Sequence, residues 1–491
     1  MKTIRFVALD TEDNVMESWI QVLNREKIPF STSLEKETKI LITNYSCLNK
    51  EQVKFIEEGG VCFSQNLKSN TSLGIRQKES VIITKIHFPE YSIFDIDFPS
   101  IAYNYEVKNE IYTIGFFDVN ERRIIKDNNP VGRLPIFRFI QLGKGLIVLS
   151  GIDFSHFYSS FGSTLRPISN RIQFTEVTER ISQIDKGTIA YILLLILKKM
   201  FKIQKLPWIQ VNYYPKSYKS VFMFRMDLDG DTSGKNIIKT AEICNKYGIK
   251  GTFYANKNLL QGNPENIRQL YEVSQKHDIG NHCDIHNVYD ELEKNKVNIH
   301  NCDEWLHSLG IIPKGFVAPR GIWNINLDYA IKQKGYKYSS DFGIGFNDLP
   351  FRPYYDGNFS QVLQIPVNPY CVGRAEVYKE ENGKKELEDR EVLDYYKSYF
   401  EEVNCKIGNG FMMIYGHPNG LGKRHDLLSK IFELVDKYEC AKMSIQEFVD
   451  WWCYREKVKY DLMLSEKNEL FIKTDGPKDL FRLSDDKIIW L

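Results

Sequence analysis

Asp278-Ile-Gly-Asn-His-Cys-Asp-Ile-His286 sets two imidazoles, His282 and His286, four residues apart behind a Gly-Asn pair that closes a short apolar strand. One helical turn after Asn281 would bring residues i and i+4 to the same face, where both rings reach a single cation. A pair of histidines on a polar surface loop has the same spacing, so the motif gains meaning only from what answers it elsewhere.

The answer lies upstream in Val221-Phe-Met-Phe-Arg-Met-Asp-Leu-Asp-Gly230, an apolar strand ending in two carboxylates, Asp227 and Asp229. Residues two apart leave a strand on one side, and the ends of barrel strands are where such folds keep their chemistry. Two imidazoles and one carboxylate leave a coordination position open, the arrangement of catalytic sites. The other carboxylate is then free to act as a base. Alone, Asp-x-Asp-Gly is an ordinary turn former.

Around these two segments strands and helices alternate. Helix Lys235–Tyr247 leads to strand Gly251–Ala255, helix Pro264–Lys276 to strand Asp278–Asn281, helix Asn295–Leu309 to strand Gly315–Ala318, and helix Asn326–Lys334 to strand Lys337–Asp341. Such repetition predicts a parallel barrel.

The pieces Asp227-Leu-Asp-Gly230, Gly251-Thr-Phe-Tyr254, Ile279-Gly-Asn-His-Cys-Asp-Ile-His286, Gly315-Phe-Val-Ala-Pro-Arg-Gly321, Gly335-Tyr-Lys-Tyr-Ser-Ser-Asp341 and Met413-Ile-Tyr-Gly-His417 follow one another in this order. Together they resemble the polysaccharide deacetylase family, the carbohydrate esterase family 4 type, over about residues 218–450. The resemblance implies an α/β fold whose catalytic part, 221–455, is a distorted, incomplete (β/α) barrel. It implies that Asp229, His282 and His286 hold a divalent cation, zinc foremost, that Asp227 is the general base, and that His417 protonates the leaving group while Asp341 tunes that histidine. The implied substrate is an acetylated glycan or amino sugar.

Three positions depart from the family. Val317 stands where relatives carry an arginine that pairs with the catalytic aspartate, and Arg320 where an aromatic is common. Period-two alternation puts Arg225 on the same strand face as Asp227 and Asp229, and an inward guanidinium is costly unless a carboxylate meets it. Arg225 is therefore the expected partner of the base, with Arg320 as a substrate contact or the alternative partner. Cys283 replaces the usual Ser or Thr; a thiol is a weaker donor, so the ligand loop is expected to be held less firmly.

Composition bounds the rest. The 491 residues, 43% hydrophobic and 26% charged, suit a globular chain of two or three domains. Sixty-five basic and sixty-four acidic residues nearly cancel, which excludes a bulk electrostatic pull toward nucleic acid or an anionic membrane. Nine cysteines, an odd number without paired CxxC spacing, read as reduced thiols in a cytoplasmic protein. Met1–Asp10 shows no secretion signal. The longest apolar run, Ile189–Leu197, is about half a membrane span, so a buried helix is expected in preference to a membrane-surface contact.

Residues 1–200 read as an α/β domain: strand Ile4–Leu9, helix Val15–Arg25, strand Lys39–Asn44, helix Asn49–Glu57 and, after Gly59-Gly60, strand Val61–Phe63. This rhythm resembles the flavodoxin-like, glutamine-amidotransferase-like domains attached to some carbohydrate enzymes. An amidotransferase needs a cysteine at a sharp strand-to-helix turn with a histidine partner. Cys62 lies inside an apolar strand, and neither His87 nor His156 has an acidic companion in motif spacing. The domain is expected to be noncatalytic, serving in docking, homo-oligomer contacts or glycan binding. Residues 201–220, with Pro207, Trp208, Tyr213, Tyr214 and Pro215, read as an ordered connector, and 456–491 as a β-rich tail around Gly476-Pro477. His277, His300, His307 and His425 are expected on the surface or on helices.

The expected activity is hydrolytic removal of an acetyl or similar acyl group. A non-carbohydrate amide on the same fold and a noncatalytic glycan-binding scaffold are the competing readings; intact Asp229, His282 and His286 speak against the scaffold.

Overall fold

Ser220–Leu228 is buried along its whole length, as a central strand covered on both faces must be. In this computed structural model, which describes residues 1–11, 16–70, 72–88, 96–118, 133–161, 167–169, 174–175, 184–342, 348–373, 376–379, 383–406, 408–467, 469–484 and 488–490, the strand pairs in parallel with three others. They are Thr252–Ala255, Phe411–Gly416 and, at its N-terminal end, Cys440–Lys442. Asp278–Asn281 extends the sheet beyond Thr252–Ala255. Single parallel bridges from Asn281 to Phe316 and from Phe316 to Ser339 then lead to Tyr338–Ser339, which pairs with Leu363–Gln364. A parallel bridge between Cys371 and Tyr415 brings the path back to Phe411–Gly416.

The pairings thus return to their start through staves of one or two residues. The strand expected at Gly315–Ala318 shrinks to Phe316, and that at Lys337–Asp341 to Tyr338–Ser339. Local chemistry explains the first: Gly315 has φ +89°, a Cβ there would run into the Tyr338 ring, and Pro319 has no N–H for a ladder. Outside the sheet, helices Asn236–Lys246, Pro264–Ser274, Leu292–Ser308, Ile325–Gln333 and His425–Val435 carry buried apolar faces.

The N-terminal sheet is built the same way. Phe30–Ser31, Val7–Asp10, Ile40–Thr43, Val61–Ser64 and Gly145–Ser150 lie side by side in parallel, a 2-1-3-4-5 order in chain terms. Arg133–Leu142 and Glu110–Asp118 continue it antiparallel. Alternate residues face different cores. Val7, Ile40, Ile42, Val61 and Phe63 pack with the helices Glu17–Glu26 and Lys186–Ile203, whereas Ala8, Leu41 and Cys62 pack with Lys50–Glu57. Asn49 and Gln52 cap that last helix reciprocally, at 2.9 and 3.0 Å.

The helix expected from Val15 is described from Glu17. A long hairpin, Ile75–Ile86 with Ile96–Val107, adds to the domain without a clear sequence signal. The apolar run 189–197 lies in the helix Lys186–Ile203, which is largely buried; among the described residues no helix is long and apolar enough to cross a membrane.

The tail forms a hairpin, Tyr460–Leu464 with Leu470–Thr474, but it does not stand alone. Lys2–Ile4 pairs antiparallel with its first strand, and Ile489–Trp490 runs parallel to its second. Phe481–Leu483 pairs with Ile209–Val211 of the connector. The tail therefore fastens the start of the chain to the segment between the two large units.

Candidate metal centre

Asp229 follows the end of the central strand, where its N–H bonds the Asp227 carbonyl at 3.1 Å. Asp231, buried just beyond, caps the helix Asn236–Lys246 through the Asn236 N–H at 2.7 Å and so fixes the turn. Asp229 Oδ1 lies 3.0 Å from His282 Nε2 and 3.3 Å from His286 Nε2. One ligand atom from each of the three residues falls within 4.8 Å of the others, a group that could hold a metal ion. Its fit rests on two further facts. Among the described residues Asp229 Oδ1 and His286 Nε2 are buried atoms that form no hydrogen bond, although they lie 3.3 Å from each other. His282 Nδ1 lies 2.7 Å from the Val317 carbonyl, which makes Nδ1 a donor and turns Nε2 toward Asp229. Burial works against charge on Asp229, but the surrounding imidazoles of His282, His286 and His417 outweigh it and hold the carboxyl well below its usual range.

The two histidines do not converge through a helical turn. The Asn281 side chain accepts the Cys283 N–H at 2.7 Å, and Cys283 adopts φ +69°; this competing turn bends the backbone out of helix. Asparagines then pin the loop. Asn256 donates to the carbonyls of His282 and Cys283 at 2.8 and 3.1 Å. Asn298 accepts the Ile285 N–H at 2.7 Å and donates to the carbonyls of Ile285 and Asn287, both at 2.9 Å. Cys283 contributes through its backbone, accepting the Lys257 N–H at 3.1 Å, while its thiol is buried. A thiol in place of a hydroxyl therefore costs these fastenings nothing. The missed signal is the burial of Asn295 and Asn298 on the inward face of the helix Leu292–Ser308, where apolar residues are the rule.

On the preceding strand, Arg225 and Asp227 are both 0% exposed. Arg225 Nε lies 3.1 Å from Asp227 Oδ1, and an Nη donates to Oδ2 at 3.2 Å, a two-pronged contact. The other Nη donates to the Ser340 carbonyl, and the guanidinium sits between the Tyr254 and Tyr415 rings at 5.9 and 5.3 Å. Val317 is a core residue whose carbonyl serves His282. Arg320 is exposed on the turn Pro319–Gly321 at φ +58°, away from Asp227 contacts.

Asp341 does not meet His417. Its carboxylate accepts the Ala318 N–H at 2.7 Å, the Ser339 hydroxyl at 2.5 Å and the Gln364 amide at 3.3 Å. Burial pushes its pKa up against those bonds and the nearby Arg225. The carboxylate is spent on joining neighbouring staves. His417 instead places Nε2 3.3 Å from Asp229 Oδ2 and Nδ1 3.3 Å from the Cys371 thiol. Burial opposes the imidazolium, but Cys371 and Asp229 outweigh it and push the pKa up to about 10. Cys371 gave no sequence signal, since only the bridge to Tyr415 brings it there.

Elsewhere one expectation changes: His277 is buried and off any helix, accepting the Gly251 N–H at 3.1 Å. His425 opens the helix His425–Val435, as expected, and faces Thr240 at 3.2 Å. His156 Nδ1 meets Glu17, an acidic companion far off in sequence rather than in motif spacing. Cys62 is fully buried, and burial raises its thiol pKa far above the ordinary value. All nine cysteines are free.

Residues 229–339 match the polysaccharide deacetylase family model, and that stretch is a polysaccharide deacetylase domain. It contains Asp229, His282 and His286 and ends short of Asp341 and His417. Solved structures similar to the chain include a protein described as a polysaccharide deacetylase from Mycobacterium smegmatis, with 16% identity and a TM-score of 0.41 over 50% of this chain and 93% of that one. Another from Pseudomonas aeruginosa PAO1 has 14% identity and a TM-score of 0.41 over 50% and 94%. A carbohydrate esterase family 4 pseudoenzyme from Bacillus anthracis has 15% identity and a TM-score of 0.32 over 48% and 66%. A comparison with curated proteins finds no match.

Proposed function

We propose that the chain is a metal-dependent hydrolase that removes an acetyl or similar acyl group from an amino sugar or another acylated glycan. The observation that supports this most is the convergence of Asp229, His282 and His286 beside the buried Arg225–Asp227 pair. A divalent cation held by the three ligands, zinc first for a donor set of two imidazoles and a carboxylate, would supply Lewis-acid polarisation of an acyl carbonyl and acidify water. Asp227, oriented by Arg225, takes the proton of the attacking water. His417 hands its Nε2 proton to the departing nitrogen or oxygen, with Cys371 holding the other ring nitrogen. Arg320, exposed on the turn Pro319–Gly321 two residues after Ala318, meets the substrate. The barrel carries the chemistry; the N-terminal, flavodoxin-like domain is a noncatalytic platform.

The test is acetate release from a panel of N- and O-acetylated sugars by the full chain, before and after chelation. Release that vanishes with the chelator and returns with zinc or another divalent cation is the expected result. A fully active, metal-free preparation overturns the proposal, and hydrolysis confined to simple amides moves the substrate away from glycans.

A further inference from the structure

Where the N-terminal sheet meets the 350–359 loop, the helix Ile445–Lys457 and the tail, a cavity of about 670 Å³ opens, lined by no residue of the candidate metal centre. That volume is in the range of small-molecule sites. Its wall carries six cations, Arg5, Arg25, Lys27, Arg352, Arg455 and Lys459, against two carboxylates, Glu456 and Asp461.

Pairing does not remove the excess. Arg5 takes Asp461 at 2.7 Å, Arg352 takes Glu456 at 2.7 Å, and Arg25 takes Glu26, behind the wall, at 2.9 Å. Among the described residues Lys27, Arg455 and Lys459 form no ion pair with a carboxylate. Lys27 Nζ donates to the Glu456 carbonyl at 2.8 Å. Arg455, 1% exposed, donates to the carbonyls of Asn212, Arg25 and Val211 at 2.9, 2.6 and 3.2 Å. Carbonyl oxygens satisfy these donors without neutralising them, and an uncompensated buried cation is costly. Burial first, and then the Arg455 guanidinium, press the Lys27 pKa down to about 8. Lys27 reaches the cavity from a left-handed residue, φ +60°, at the end of the helix Glu17–Glu26.

The wall also carries the aromatic rings of Phe30, Phe351 and Phe359. A bare inorganic anion would not use these rings or this volume. We propose that the cavity binds a nucleoside diphosphate, its two phosphates facing Lys27 and Lys459 with the buried Arg455 guanidinium behind them, and its planar base lying against Phe30 and Phe351. The charge of a diphosphate balances the three unneutralised cations, and both guanidinium and ammonium are natural phosphate donors. This site stands independently of the deacetylase reading.

Calorimetric titration of the full chain at low salt, with UDP, ADP, pyrophosphate and uridine as probes, tests it. One equivalent of a nucleoside diphosphate should bind and raise Tm, pyrophosphate should bind more weakly, and uridine should not bind. Lys27→Met with Lys459→Met should weaken binding about 100-fold, about tenfold per lost charge contact. His286→Ala, which disables the metal centre, should leave binding unchanged. Lys459 is exposed, so Lys459→Glu alone, expected to weaken binding at least tenfold, keeps the test open should the double variant misfold. No binding at millimolar probe, binding indifferent to the Lys27 and Lys459 changes, loss in His286→Ala, or pyrophosphate binding as tightly as UDP would each overturn the assignment.

Discussion

At Arg225 strand alternation and the cost of an unpaired guanidinium act on one side chain, and both direct it toward Asp227. Removing it leaves a buried carboxylate without its cation, a change that costs about 3–5 kcal/mol in comparable pairs. Arg225→Met should therefore lower Tm. It should also move the acidic limb of the kcat/KM profile to higher pH, because the ionised base loses its stabilising charge, while metal content stays intact. An unmoved limb in Arg225→Met with a moved one in Arg320→Met would transfer the role to Arg320. His417 offers the complementary experiment. Contact with Cys371 helps raise its pKa, so Cys371→Ala should bring the basic limb down as the imidazolium is lost at lower pH. A basic limb that stays in place would leave Asp229 as the sole source of that shift. Arg225 was legible in the sequence because period two needs no tertiary knowledge. Cys371 was not, because a residue 46 positions from His417 gives no periodic sign of the approach.

The ligand loop shows what local patterns can and cannot convey. Strand ends near Asp229 and at Asn281 followed from apolar runs that stop at polar residues, and the strands end at Leu228 and Asn281. The conformation between His282 and His286 did not follow, because Asn281 competes with the helix for the Cys283 N–H and buried asparagines then determine the path. Asn298 makes three of those bonds. Asn298→Ala should keep the fold but loosen His286, lowering metal affinity by roughly 10–100-fold, the usual scale for outer supports of a metal site. Equilibrium dialysis against zinc would measure it, and unchanged affinity would show the loop to be held by Asn256 and Asn281 alone. The strand expected at Gly315–Ala318 was overcalled for a related reason: apolar composition marked it, but Gly315 and Pro319 limit the ladder to a bridge at Phe316, whereas the strand expected at Lys337–Asp341 is present in shorter form as Tyr338–Ser339.

Across the whole molecule the division of labour predicts where a substitution is silent. Cys62 points into the apolar cluster beside Lys50–Glu57, remote in role from the metal centre. Cys62→Ser should leave turnover on small substrates unchanged while costing about 1–3 kcal/mol for a buried hydroxyl; steady-state kinetics beside a thermal melt separates the two. Turnover lost in a folded variant would assign chemistry to the N-terminal domain. The parallel part of that domain was legible because its strands are apolar on both faces. The hairpin Ile75–Ile86 with Ile96–Val107 was not, since its strands mix exposed and buried positions irregularly. The pairing of Lys2–Ile4 with Tyr460–Leu464 has a consequence in time. Ile4 leaves the ribosome 458 residues ahead of its partner Leu462, a wait of roughly 25 to 90 seconds at ordinary rates of translation. Throughout that interval the nascent strand's backbone amides and carbonyls stand open to other partners, so this strand is locked only once the tail has emerged, and its protection falls to whatever attends the emerging chain.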